Sequence, residues 1–98
     1  MKTEEANKII AEYMGENLIV PVNINELSGS QKKIYQPYIY SLDALVPVWE
    51  KLGVDDMDLH PLRGECYIYW RGLGIKGKGE TVQEAACIAT AKAIKELK

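Results

Sequence analysis

Apolar positions in this chain recur with a helical period in three stretches and alternate with a strand period in one. Ala6, Ile9, Ile10 and Tyr13 form one stripe, with Asn7, Lys8 and Glu12 turned to water, which predicts an opening helix. Thr3 is placed to cap it, Glu4 and Glu5 complement its positive end, and Gly15 stops it. Leu42, Leu45, Val46, Trp49 and Leu52 predict a second helix from Ser41 to Leu52. Ser41 caps it, Gly53 ends it, and Pro47 lies inside, where a missing N–H predicts a kink or tighter first turns. A third helix starts at Thr81-Val82-Gln83-Glu84, a capping box. Its stripe of Val82, Ala86, Ala89, Ala93 and Leu97 consists mainly of small residues, which lets a helix lie very close to a sheet.

Glu65 to Arg71 is the strongest strand. Cys66, Ile68 and Trp70 point one way and Tyr67 and Tyr69 the other. Both faces are apolar or aromatic, which predicts a sheet covered on both sides. A strand is expected before it at Met57–Leu62, with Arg63-Gly64 as a hairpin turn, and Leu73–Lys78 is an optional third strand that its glycines make short and irregular. Such short connections make the sheet antiparallel. The fold expected is therefore α+β: a small antiparallel sheet of two to four strands, helices on both faces, and three helices in the order α-α-β-β-(β)-α.

The stretch before the second helix is irregular. Asn17–Ile24 reads as an edge strand or extended loop because Pro21 interrupts it, and Ser28–Lys33 reads as an exposed turn. Tyr35-Gln36-Pro37-Tyr38-Ile39-Tyr40 is expected to be extended, since the residue before proline avoids the helical region. Its tyrosines either form a ligand platform or pack as a lid over the helices; the lid is the favoured reading.

Ninety-eight residues make one domain, residues 1–98. The net charge of −2 argues against general nucleic-acid binding, which needs many neutralised phosphates. The charge is unevenly spread, however. Residues 1–62 carry five lysines against ten acids, a net of −5; residues 63–98 carry seven basic residues against four acids, a net of +3. An anion-seeking surface therefore belongs to the last third. Cys66 and Cys87 lack metal or redox spacing and read as small buried hydrophobes. No signal segment is recognised and the apolar runs are too short to span a bilayer, so the expected setting is the cytoplasm.

That last third contains the run Gly72-Leu73-Gly74-Ile75-Lys76-Gly77-Lys78-Gly79-Glu80-Thr81. It satisfies G-x-G-x-x-G, but no βαβ unit surrounds it. It satisfies most of a P-loop, but Gly79 stands where Ser or Thr would hold magnesium. Nucleotide hydrolysis is excluded on those grounds. What remains is a cradle for phosphate, set against a bulged turn with solvated lysines. Asp55, Asp56, Asp58 and His60 match no metal loop and read as a solvated connection. His60 is the only histidine, and no residue is assigned a catalytic role, a metal or a cofactor.

The Gly-x-Gly, Thr and alanine-rich helix resemble the last half of a double-stranded RNA-binding domain. That module puts lysines where Gln83 and Glu84 stand here. A broader resemblance rests on Asn7-Lys8-Ile9-Ile10-Ala11-Glu12-Tyr13-Met14-Gly15, on Tyr38–Leu52 with its internal proline, and on Glu80-Thr81-Val82-Gln83-Glu84-Ala85. These stretches are similar to the opening, central and last helices of small phage and prophage proteins with the phage ABA sandwich domain. The resemblance implies helices on both sides of a sheet and expression in the host bacterial cytoplasm. It implies no catalytic residues.

The functional expectation is a non-enzymatic phage accessory protein, with an anti-defence role, that sequesters a small phosphorylated ligand such as a nucleotide immune signal. Arg71, Lys76 and Lys78, with Gly74, Gly77 and Thr81, are the candidate phosphate contacts. Tyr38, Tyr40 and Trp70 are the candidates for stacking a base. A homo-oligomer is expected, because one small domain offers little concavity. The alternatives are a module that inhibits a host bacterial protein and, more weakly, an RNA-binding domain. No membrane partner is expected.

Overall fold

The computed structural model describes residues 1–16 and 37–97. In chain order they form α1 (Thr3–Tyr13), α2 (Pro37–Tyr40), α3 (Leu42–Leu52), β1 (Asp56–His60), β2 (Glu65–Trp70), β3 (Leu73–Lys78) and α4 (Val82–Lys95). The strands make one antiparallel sheet in the order β1-β2-β3. The α+β class and the order of strands and helices are those expected. The readings made for Asn17–Ile24, Ser28–Lys33 and Tyr35-Gln36 lie outside the described residues.

Local chemistry explains most element ends. Glu16 N–H donates to Ala11 O at 2.8 Å and Gly15 N–H to Glu12 O at 3.1 Å, the paired bonds of a Schellman stop for α1. At the other end Lys2, not Thr3, is the N-cap residue; Thr3 is already helical. Pro37 opens α2, where the expectation was extended chain. Proline is well suited to a first helical position because its absent N–H has no partner there anyway. Ser41 is the N-cap residue of α3 but makes no side-chain capping bond. Pro47 sits exposed inside α3, which runs unbroken from Leu42 to Leu52. Thr81 caps α4 as expected, its Oγ1 accepting from Glu84 N–H at 3.2 Å.

The strand limits also shift. β1 ends at His60 because Pro61, without an N–H, begins the turn through Gly64. β2 ends at Trp70, since Arg71 (φ 53°) and Gly72 (φ 78°) form the two-residue loop to β3. Two positive φ values match the type I′ hairpin, whose twist suits the flanking strands.

Register divides the sheet cleanly. Met57–Ile68–Ile75 and Leu59–Cys66–Gly77 lie across one face. Asp56–Tyr69–Gly74, Asp58–Tyr67–Lys76 and His60–Glu65–Lys78 lie across the other. α4 packs on the first face, over β2 and β3, and touches all six other described elements. Accordingly it is buried nearly all round, from Ala85 through Ala91 and at Ala93 and Ile94. A helical segment so enclosed needs small or apolar residues on every side, and Ala85–Ala91 supplies them, while Lys92 and Lys95 near the end reach water. Its approach to β3 is set by Gly77. A Cβ there would fall 2.1 Å from Ala85 O and 2.5 Å from Ala89 N.

The side of α4 away from the sheet is covered by α1, α2 and α3. Trp49 Nε1–H donates to Thr90 Oγ1 at 2.9 Å, and Thr90 donates to Ala86 O at 2.7 Å, so this buried hydroxyl is satisfied twice. Trp70 Nε1–H donates to Leu52 O at 2.8 Å and ties β2 to the end of α3. Cys66 and Cys87 are free and buried, as expected; burial first, then Asp58 and Glu84 respectively, pushes their thiols up to about 11 and about 12.

One part of the expected layering is corrected. Among the described residues the helices pack on the inner face only, not on both faces. An aromatic outer face implies a covering layer, but tyrosine also carries a hydroxyl and a polarisable ring that tolerate a half-wet position. Tyr69 is 38% exposed and its hydroxyl bonds to Asp58, not to a helix.

Gly77→Ala is expected to destabilise the fold by about 3 kcal/mol in urea unfolding, since the new methyl meets helix backbone that cannot give way. Gly74→Ala, on the outer face of the same strand, meets only the Tyr69 ring at 3.6 Å and should change stability by less than about 0.5 kcal/mol. Equal costs at the two positions would contradict this packing.

Candidate functional site

The outer face of the sheet is a grid of three columns, one per strand. β1 contributes Asp56, Asp58 and His60; β2 contributes Tyr69, Tyr67 and Glu65; β3 contributes Gly74, Lys76 and Lys78. Acid thus stands along one side, aromatic rings in the middle and lysine along the other. The side chains are tied to one another. Tyr69 Oη donates to Asp58 Oδ2 at 2.9 Å. Lys76 Nζ lies 2.9 Å from Glu65 Oε2 and 5.8 Å from the centre of the Tyr67 ring. The other side of that ring meets His60 edge-on, with centroids 5.6 Å apart.

These contacts shift the titrating groups. Lys76 holds the Glu65 carboxyl below the usual carboxylate range, chiefly by donating to it, and Glu65 in turn raises Lys76. The bond to Asp58 raises the Tyr69 hydroxyl. Lys78 and Arg71 are exposed.

The sequence-derived candidates do not converge on one point. Alternation puts Lys76 and Lys78 on the outer face, whereas α4 and its Thr81 cap pack on the inner one. The glycines of the run are occupied by packing and turning. Gly77 lies against α4, Gly79 lies against Glu84 and Ala85 and donates its N–H to Gly64 O at 2.9 Å, and Gly72 turns the hairpin. Gly74 is exposed beside the Tyr69 ring. Arg71 sits at the hairpin end, stacked 4.6 Å over the Trp70 ring. The three strand steps from Leu73 to Lys76 alone separate it from that lysine by roughly 10 Å at ~3.3 Å per residue.

The aromatic candidates divide likewise. Trp70 is 2% exposed and Tyr38 4%, both inside the core, which matches the lid reading for Tyr38. Tyr38 Oη donates to Glu16, and burial, then Glu16, raises its hydroxyl. Tyr40 is 37% exposed at the end of α2. The accessible rings on the lysines' face are Tyr67, opposite Lys76, and Tyr69, opposite Gly74; the alternation predicts that the two share a face, but neither is among the site candidates. The strand alternation that puts Tyr67 and Tyr69 on the face of Lys76 and Lys78 was the available signal, and of these only Tyr67 stands directly opposite a lysine, Lys76.

At the far end of the β1–β2 hairpin, Leu59, His60, Pro61, Leu62 and Arg63 line a shallow cavity of about 300 Å³. Leu62 there is fully exposed. Among the described residues no group of three or more His, Cys, Asp or Glu is placed to hold a metal ion, and no helix is long and apolar enough to cross a membrane. Comparison with family models, curated proteins and solved structures finds no match for this chain.

Stability should report the Glu65–Lys76 pair directly. A carboxyl lowered by folding stabilises the fold above the usual carboxylate value, about 4.3, and loses that contribution as pH falls through the lowered value. Lys76, raised by folding, contributes below its ordinary value, about 10.4, and loses its share as pH rises through the raised one. In thermal melts, wild type should therefore exceed Glu65→Gln by a constant margin between about pH 6 and 9. The margin should close on acidification; a margin that survives full protonation of carboxylates would contradict the pairing.

Proposed function

We propose that this protein is a non-enzymatic binder of a small phosphorylated molecule carrying an aromatic base, held on the outer face of the sheet. The observation that supports the reading is Lys76 directly opposite Tyr67, with Lys78 and Tyr69 further along the same face, against which no described helix packs. The lysines supply point charges for phosphate and the exposed Tyr69 ring a stacking surface, while the acidic β1 column repels anions and confines the phosphate to the β3 side. Arg71, Tyr40 and the start of α4 lie away from this point and take no part. The resemblance to phage ABA sandwich proteins suggests the setting, sequestration of a nucleotide signal in an infected bacterium.

A second reading has its own support. The fully exposed Leu62, with Leu59 beside it, offers an apolar anchor for a host protein. The described part of the 35–40 segment offers no comparable patch, since Tyr38 and Ile39 are buried.

Calorimetric titration with a panel of cyclic and linear nucleotides and ADP-ribose-type compounds separates the two. Binding is expected for at least one ligand, with an affinity reduced about tenfold or more by Lys76→Glu/Lys78→Glu, a loss of about 1.4 kcal/mol or more. No binding across the panel removes the ligand reading. Capture of a host protein that Leu62→Asp abolishes would put the second in its place.

A further inference from the structure

The two edges of the sheet are treated differently. Pairing register fixes which backbone groups each edge presents. Gly79 N–H donates to Gly64 O at 2.9 Å, so Leu73, Ile75 and Gly77 turn their backbone groups toward β2, while Gly74, Lys76 and Lys78 turn theirs outward. Lys92 of α4 reaches that outer edge and donates to Lys76 O at 2.9 Å. By the same alternation Asp56, Asp58 and His60 pair their backbones with β2, and Met57 and Leu59 turn their N–H and C=O groups away from the sheet. Among the described residues no strand pairs with this second edge. The Met57 N–H is held there by Asp56 Oδ1 at 2.8 Å. An unpaired edge is a template for a further strand.

Side chains beside the edge define the strand it suits. On the inner side of β1, Met57 lies with Val46, Trp49 and Val54 in a groove of about 240 Å³ between α3 and β1, which Glu50, Asp55 and Asp56 also line. Leu59, two residues further on the same side, is exposed. Met57 and Leu59 are roughly 7 Å apart at ~3.4 Å per residue, the spacing of alternate side chains on a pairing strand. On the outer side stand Asp56 and Asp58. Asp58 accepts from the Tyr69 hydroxyl, which leaves its charge in place. Lys51, next to Glu50 in the chain, is drawn to α1, where it donates to Tyr13 O at 2.7 Å. Acids thus flank the edge on both sides, and no salt bridge among the described residues neutralises them.

We propose that the open edge of β1 binds an extended segment of a partner protein in which basic and apolar residues alternate. The segment adds to the sheet as a fourth strand. Its backbone pairs with Met57 and Leu59, its apolar side chains enter the groove beside Trp49 and cover Leu59, and its lysines or arginines meet Asp56 and Asp58. A carbonyl of the segment takes over the Met57 N–H, which frees Asp56 Oδ1 for a basic side chain. A second copy of this chain does not fill the role. β1 laid antiparallel on β1, with Asp58 opposite Asp58 or Asp56, sets carboxylate against carboxylate. β3 of a second copy carries lysines at alternate positions, but Lys92 holds its Lys76 carbonyl and so guards that edge against end-to-end growth of the sheet. The inference rests on neither reading above, since neither the β3 lysines nor Leu62 takes part.

Synthetic peptides test the edge on the full chain. The probe is a peptide of about eight alternating lysine and valine residues, blocked at both ends. Added to the isotope-labelled protein, it should shift the amide signals of Met57, Asp58 and Leu59 and the Trp49 indole signal, with half-saturation on the order of 100 µM. Three altered peptides should each bind about tenfold more weakly or not at all: one with its lysines grouped at one end, one with glutamate in place of lysine, and one N-methylated at the positions that pair. Asp56→Asn with Asp58→Asn should weaken the first peptide by a similar factor. The N-methylated peptide makes the same test on unaltered protein, so the outcome does not depend on how the variant folds. No shift up to about 1 mM, or shifts centred on β3 or Leu62, would overturn the inference. So would equal binding of the grouped or the N-methylated peptide, since charge alone then accounts for the contact.

Discussion

Gly77 brings two backbones into contact, and the rest of the structure is arranged around that contact. The carbonyl of Ala85 and the amide of Ala89 occupy the space a side chain at position 77 would need. α4 therefore lies on β3 closer than any larger residue permits. Sunk that deep, it becomes the centre of the molecule, with the sheet on one side and α1, α2 and α3 on the other. Its run of alanines follows from this position, since a helix enclosed on all sides has no room for long side chains and no water for polar ones. Within the enclosed Ala85–Ala91 segment Thr90 is the exception, and Trp49 and Ala86 satisfy its hydroxyl.

A helix committed wholly to the inner face leaves the outer face to side chains that stabilise one another. The charged and aromatic groups there form short cross-strand contacts: Tyr69 with Asp58, Lys76 with Glu65 and Tyr67, His60 with Tyr67. Cross-strand pairs on a solvated face are screened by water and hold long side chains at an entropic cost. They are therefore modest as stabilisers, and more informative as a surface. The ligand reading uses the aromatic and basic columns.

The fold was largely legible because it depends on period and punctuation. The alternation of Cys66, Ile68 and Trp70, the capping box at Thr81 and the small residues of the last helix each state a backbone fact directly. The site was less legible because it depends on which face a residue shares with which neighbours. Lys76, Lys78 and Thr81 are close in sequence, yet one side of the sheet holds the lysines and the other holds the cap. Tyr67 is far from Lys76 in the chain but opposite it in the sheet. Proline was read too strongly at one helical context: Pro37 begins α2, where extended chain was expected. The glycine run had two physical explanations, and close packing accounts for Gly77 and Gly79.

Proton–proton contacts in solution measure the depth of α4 most directly. Nuclear Overhauser spectra should connect the Gly77 Hα protons to the Ala89 methyl and the Ala85 backbone, and should connect Tyr69 ring protons to Gly74 but to no residue of α4. Contacts between α4 and the Tyr67 or Tyr69 rings, or their absence at Gly77, would place the helix on the other face and contradict the account.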